Sequence, residues 1–144
     1  MGAFTFFAEF PRRLGDGTID LDSDTLKWML TNTAPDVEAN TVLANITAIA
    51  AGNGYAAGGV ELTGKTWAES GAGWLFGGAS ASVTAAGGSI GPFRYAVLYD
   101  DTPISPADPL IGYVDYGESI TLTDGQEFQF EVTASGIFAL NRPA

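Results

Sequence analysis

The chain has no cysteine and no histidine among its 144 residues. Without histidine there is no imidazole to act as a general base near neutral pH, and no Ser-His or Cys-His nucleophile pair. Without either residue the usual structural zinc ligands are missing, and no disulfide framework is available. At this length a single domain buries roughly 68–70% of its unfolded surface, so neither staple is needed. Positive charge is also scarce: 6 Lys and Arg face 17 Asp and Glu, for a formal charge of −11. Nucleic-acid backbones are bound chiefly by Lys and Arg that release counterions, so nucleic acid is not an expected partner. No basic residue occurs from Tyr95 to Asn141, whereas Asp100, Asp101, Asp108, Asp115, Glu118, Asp124, Glu127 and Glu131 all do. Such a half repels polyanions and anionic membranes. No apolar run approaches the ~18 residues of a spanning helix. The opening MGAFTFFAEFPRR lacks a basic leader region, so no secretory signal is expected there, and Phe6 stands where a myristoylation motif needs Ser or Thr.

Glycine, in contrast, is abundant at 19 residues, spread between β-branched and aromatic side chains. That composition favours short strands joined by turns. Strict alternation marks 25–31 (TLKWMLT), 93–99 (FRYAVLY) and 127–132 (EFQFEV) as half-buried strands. Further strands are expected at 59–68, 73–76, 80–85, 109–115, 119–122 and 136–140. Turn chemistry separates them at Asp16-Gly17, Gly77-Gly78, Gly87-Gly88, Pro103 to Pro109 and Asp124-Gly125. Two stretches carry helix-like spacing. One is 4–14, with Phe4, Phe7, Phe10 and Leu14, although Pro11 interrupts it. The other is 36–50, with Val42, Leu43, Ile46 and Ile49. The expected fold is all-β and mainly antiparallel, a β-sandwich or barrel-like domain with one or two short helical segments. It is expected as a single domain over 1–144: an N-terminal arm or short helix at 1–17, a β core at 18–140 and a tail at 141–144.

Several motifs suggest chemistry. Residues 59–66, GVELTGKT, match the phosphate-binding loop G-x-x-x-x-G-K-[ST], and YAVLYDD at 95–101 resembles its magnesium-binding partner segment. A phosphate loop must follow a buried strand and open a helix whose N-terminus faces the anion. Here Gly71 and Gly73 break any helix soon after Lys65, Val60 and Leu62 alternate with Glu61 and Thr63 as in a strand, and Glu61 adds a repelling charge. The expected structure is a strand, with YAVLYDD a core strand entering a polar turn. GNGYAA at 52–57 fits a dinucleotide fingerprint but leads into Gly58-Gly59, so a loop anchored by Tyr55 is expected. Asp20, Asp22 and Asp24 open like a calcium loop, yet Thr25 occupies the required glycine position and Thr31 the required glutamate position. A polar turn is expected, with no metal, no cofactor and no catalytic residue; a weak, unconventional calcium site there or among Asp100, Asp101 and Asp108 is the alternative. Among the aromatics, Trp28 alternates with Leu26 and Leu30 and belongs in a core. Trp74, set among glycines, is the candidate for an exposed contact or carbohydrate-stacking residue.

Four segments in order, IDLDSDTLKWMLTN, LANITAIAAGNGYAAGGVELTGKTW, GPFRYAVLYDD and DPLIGYVDYGESITLTDGQEFQFEVTASGIFAL, are spread over most of the chain, from about Thr18 to Leu140. Their order and spacing resemble a family of small virion structural proteins of tailed bacteriophages and prophages. The N-terminal FTFFAEFPRR departs from that pattern, in which a helix without proline leads into the first strand. The resemblance implies a protein without catalysis, most simply a capsid decoration (cement) protein. Its partners would be the major capsid protein and its own copies, as a homotrimer, with no nucleic acid and no membrane. It would be made in the host cytoplasm and located on the capsid surface of the virion. A tail or head–tail component, or a virion-surface glycan- or receptor-binding module, is the alternative. Phe4, Phe6, Phe7 and Phe10 suit an arm that orders on a partner, and burial in the chain's own core is the competing expectation.

Overall fold

The computed structural model describes residues 3–142. The fold is all-β and mainly antiparallel. A five-stranded sheet runs in the order β1 (Phe4–Phe6), β8 (Leu110–Leu122), β7 (Ile90–Asp100), β2 (Leu26–Thr31), β3 (Val60–Leu62). A three-stranded sheet has β5 (Gly73–Gly77) between β10 (Phe138–Asn141) and β4 (Thr66–Ser70). A ribbon pairs β6 (Ala81–Thr84) with β9 (Glu127–Phe130). Leu26, Trp28 and Leu30 of β2, with Phe93, Ala96, Leu98, Ile111 and Val114, share a buried cluster with Phe76, Val83, Phe130 and Phe138 from the smaller sheets. The two layers thus close on one another as a sandwich, because each sheet has an apolar face that must leave water.

The large sheet is covered on its other face as well. Phe7, Met29, Val97, Tyr99 and Leu110 form a second buried cluster, roofed by Val37, Leu43 and Ile46. This corrects the expectation of a helix at 36–50. The segment is a chain of turns with a single 3-10 turn at Leu43–Asn45. Its Asp and Asn side chains hold it there. Asp36 Oδ1 accepts the N–H groups of Glu38 and Ala39, Asn40 Oδ1 accepts that of Asp36, and Asn45 Oδ1 accepts those of Thr41 and Val42. Such local bonds offer the backbone a stable alternative to helix. The apolar spacing that imitates a helix is the spacing of anchors on the sheet. The same roof explains why Met29, on the face of β2 opposite Trp28, is buried.

Three further expectations change. Positions 4–14 are not one helix: β1 pairs antiparallel with β8, and only α1 (Phe10–Gly15) is helical, with Pro11 in its first turn, where a missing N–H does no harm. Positions 59–68 are not one strand. β3 pairs with β2, and β4 pairs with β5, so the chain crosses from one layer to the other at Thr63-Gly64-Lys65. Positions 109–115 and 119–122 are one strand, β8, whose register against β7 slips between Tyr95–Asp115 and Phe93–Ile120. The extra residues form a bulge that bends the strand rather than ending it. Of the tail at 141–144, Asn141 belongs to β10 and residues 143–144 lie outside the described residues.

Candidate binding surface

The residues that imitated a phosphate loop hold the fold together. Gly59 has φ +94°, and a Cβ there would fall 1.9 Å from the Trp28 carbonyl oxygen, so the glycine lets the chain press against β2. Lys65 stands where the layers exchange chain, and its Nζ donates to the Asp24 carbonyl. No helix follows it; β4 does. In the GNGYAA segment, Tyr55 is buried and its hydroxyl accepts the Leu30 N–H at 2.9 Å. A phenol in that setting is harder to ionise than usual, because burial disfavours the phenolate.

The aspartates of 20–24 serve the backbone too. Asp20 accepts the N–H groups of Asp22 and Ser23 and the Ser23 hydroxyl, and these bonds hold its carboxyl below the ordinary range. Asp24 Oδ2 accepts the Asp20 N–H at 3.1 Å. Asp100, at the end of β7, is fully buried. Its Oδ1 accepts the Thr102 N–H at 3.1 Å, while its Oδ2 has no partner among the described residues. Burial first, and then the Asp24 carboxyl beside it, push Asp100 up to about 8. A proton on Asp100 removes the cost of a buried charge beside Asp24. Among the described residues no three acidic side chains are grouped to hold a metal ion.

The N-terminal phenylalanines divide. Phe7 and Phe10 are buried, which withdraws them as contact residues of the folded chain. Phe4 is half-buried and stacks on Phe138 at 5.7 Å, and Phe6 stacks on Phe10 at 5.2 Å and meets Phe138 edge-on at 5.0 Å. With β1 hydrogen-bonded into the sheet, residues 4–6 are an edge strand and not a free arm, and Phe6 stays 36% exposed on it. The apolar spacing was real, but its target is the chain's own aromatic cluster.

Two further features are more exposed than Phe6. The first is the loop from Asp101 to Pro109, which carries Ile104 at its tip, 89% exposed. The loop is closed by an Ile104–Ala107 bridge and by the Asp108 N–H on the Pro103 carbonyl, and prolines at 103 and 106 limit its freedom. At its base Lys27 pairs with Asp101 at 3.0 Å. Asp108 there is held above the ordinary carboxyl range by burial and then by Asp101. In the sequence this is an isoleucine between prolines in an otherwise polar turn, a pattern that signals turn chemistry and nothing more.

The second feature is at the open end of the three-stranded sheet. Trp74 is 51% exposed and lies across from Leu140 on β10 and Glu69 on β4. Each stands two positions from the row formed by Phe76, Phe138 and the partly buried Trp67, so they continue the core-facing side past the end of the core. Gly71, Ala72 and Gly73 leave a recess of about 140 Å³ beside the indole, and Arg142 completes its wall. No family model, curated protein or solved structure matches the chain.

Proposed function

We propose that the chain is a structural protein of a tailed-bacteriophage particle, a capsid decoration protein that attaches to the outside of the head by the Ile104 loop. The family resemblance of the ordered segments suggests the setting. The observation that carries the attachment is Ile104, an apolar side chain held out on a proline-bounded tip whose base carries Asp101 and Asp108. An apolar anchor with a charged rim is the arrangement by which a small contact becomes specific. Its acidity, with a net charge of −11, favours a partner surface that is basic around an apolar pocket. The roles found for Lys65, Asp20 and Tyr55 accord with a protein that binds and does not catalyse.

The test mixes the purified chain with expanded empty shells. Attachment that raises the melting temperature of the shell is the expected result. Ile104→Asp should weaken attachment by roughly 30-fold, the ~2 kcal/mol of a central anchor, without changing the chain's own unfolding. Attachment should also weaken with salt. In purified particles the copy number should scale with the major capsid protein. A few copies per particle would instead assign the chain to the tail or the head–tail junction.

A further inference from the structure

We propose that the recess beside Trp74 is a binding site for one ring of a neutral carbohydrate. This site is distinct from the Ile104 loop and does not rest on the reading of the chain as a shell protein. A lone exposed tryptophan is ordinary, and the case stands on what surrounds it. Trp74 sits on the central strand of its sheet, paired on both sides to β10 and β4, so the indole is presented from a fixed backbone. Leu140 lies directly across and extends the apolar floor. Beside them the chain is pared down to Gly71, Ala72 and Gly73. A Cβ on Gly73 would fall 2.1 Å from the Leu140 carbonyl oxygen, so the strands approach there as only glycine allows. At about 140 Å³ the hollow is well below the roughly 300–1,000 Å³ of drug-sized sites, and suits a single ring.

The charges select the ligand class. An indole beside the Glu69 carboxylate would attract a cation, but Arg142 opposes one. Arg142 would attract an anion, but Glu69 and the net charge of −11 oppose that. A neutral ring with one apolar face and a rim of hydroxyls meets no such conflict. Its C–H face lies on the indole, and its hydroxyls donate to Glu69 and accept from the Arg142 guanidinium.

The test is an NMR titration of the isotope-labelled full chain, following the indole N–H of Trp74, assigned by its loss in Trp74→Phe. The probes are hexaoses of glucose, galactose, mannose and N-acetylglucosamine, with a hexuronate and tetramethylammonium as charged controls. At least one neutral hexaose should shift the Trp74 signal saturably. Trp74→Ala should weaken that binding at least 10-fold, and Glu69→Gln several-fold, with both variants folded because both positions are exposed. No response to any neutral probe at about 10 mM, weaker than the millimolar range of measurable recognition, would overturn the proposal. So would a response that survives Trp74→Ala, or a preference for either charged control. The same variants are assayed on shells. A Trp74→Ala chain that loses shell attachment while the unmodified chain ignores every sugar would reassign the recess to a protein contact.

Discussion

Asp100→Asn should stabilise the protein at neutral pH, and the gain should depend on pH. The folded chain holds a proton on Asp100 up to about pH 8, whereas the unfolded chain releases it near 3.8. Between those values the native state binds more protons than the unfolded state, so this group's contribution to stability falls as pH rises. Each unit of pH in that window removes up to about 1.4 kcal/mol, and the roughly three units to pH 7 set an upper bound of about 4 kcal/mol. Solvent around the exposed turn at Asp20–Asp22 screens the site, and about 2 kcal/mol is the expected size. Asparagine keeps the geometry without a titrating proton: its oxygen accepts the Thr102 N–H, and its amide stays neutral beside Asp24 at every pH. Asp16, Asp20 and Asp115 shift the opposite way, so their contributions are lost only as pH falls through and below the ordinary carboxyl range. They are common to both proteins and cancel in the difference. Urea unfolding, followed by tryptophan fluorescence at about pH 4, 7 and 9 and constant ionic strength, measures that difference. The variant should gain about 2 kcal/mol at pH 7, slightly more at pH 9, and close to nothing at pH 4. A gap independent of pH, or a variant less stable than the parent at pH 7, would refute the idea of a proton buried on Asp100.

Two further substitutions probe the segment that imitates a phosphate loop. Lys65→Ala should lower stability by about 1–2 kcal/mol through loss of the bond to the Asp24 carbonyl, and nucleotide hydrolysis should stay at background in both proteins, as a phosphate-release assay would show. Gly59→Ala should destabilise by at least ~2–3 kcal/mol in thermal or urea unfolding, because the position combines φ +94° with a Cβ placed against the Trp28 carbonyl.

The sequence by itself determined the class of fold and most of the strands. Alternation at 25–31, 93–99 and 127–132 marks residues with a side chain on each face of a pleat, and a period of two is a local property of the chain. It also determined that GVELTGKT is not a phosphate cradle, since the glycines at 71 and 73 forbid the helix such a loop must open. The exposure of Trp74 was legible from its place among glycines, which offer an indole little apolar cover.

What only the tertiary structure decided is where apolar spacing points. Val42, Leu43, Ile46 and Ile49 would suit a helix, and Phe4, Phe7 and Phe10 an arm. Instead Leu43 and Ile46 meet Phe7 on the roof side of the large sheet, while Phe4 and Phe10 join the Phe138 cluster of the main core, against which Ile49 also packs. Nor does any local signal reveal that the chain changes layers at Gly64-Lys65, that Asp24 meets Asp100, or that Glu69, Leu140 and Arg142 converge on Trp74. The reason is physical. Periodicity records which side of an element avoids water, but the partner that removes the water is chosen by how the sheets stack, and that choice depends on residues separated by most of the length of the chain.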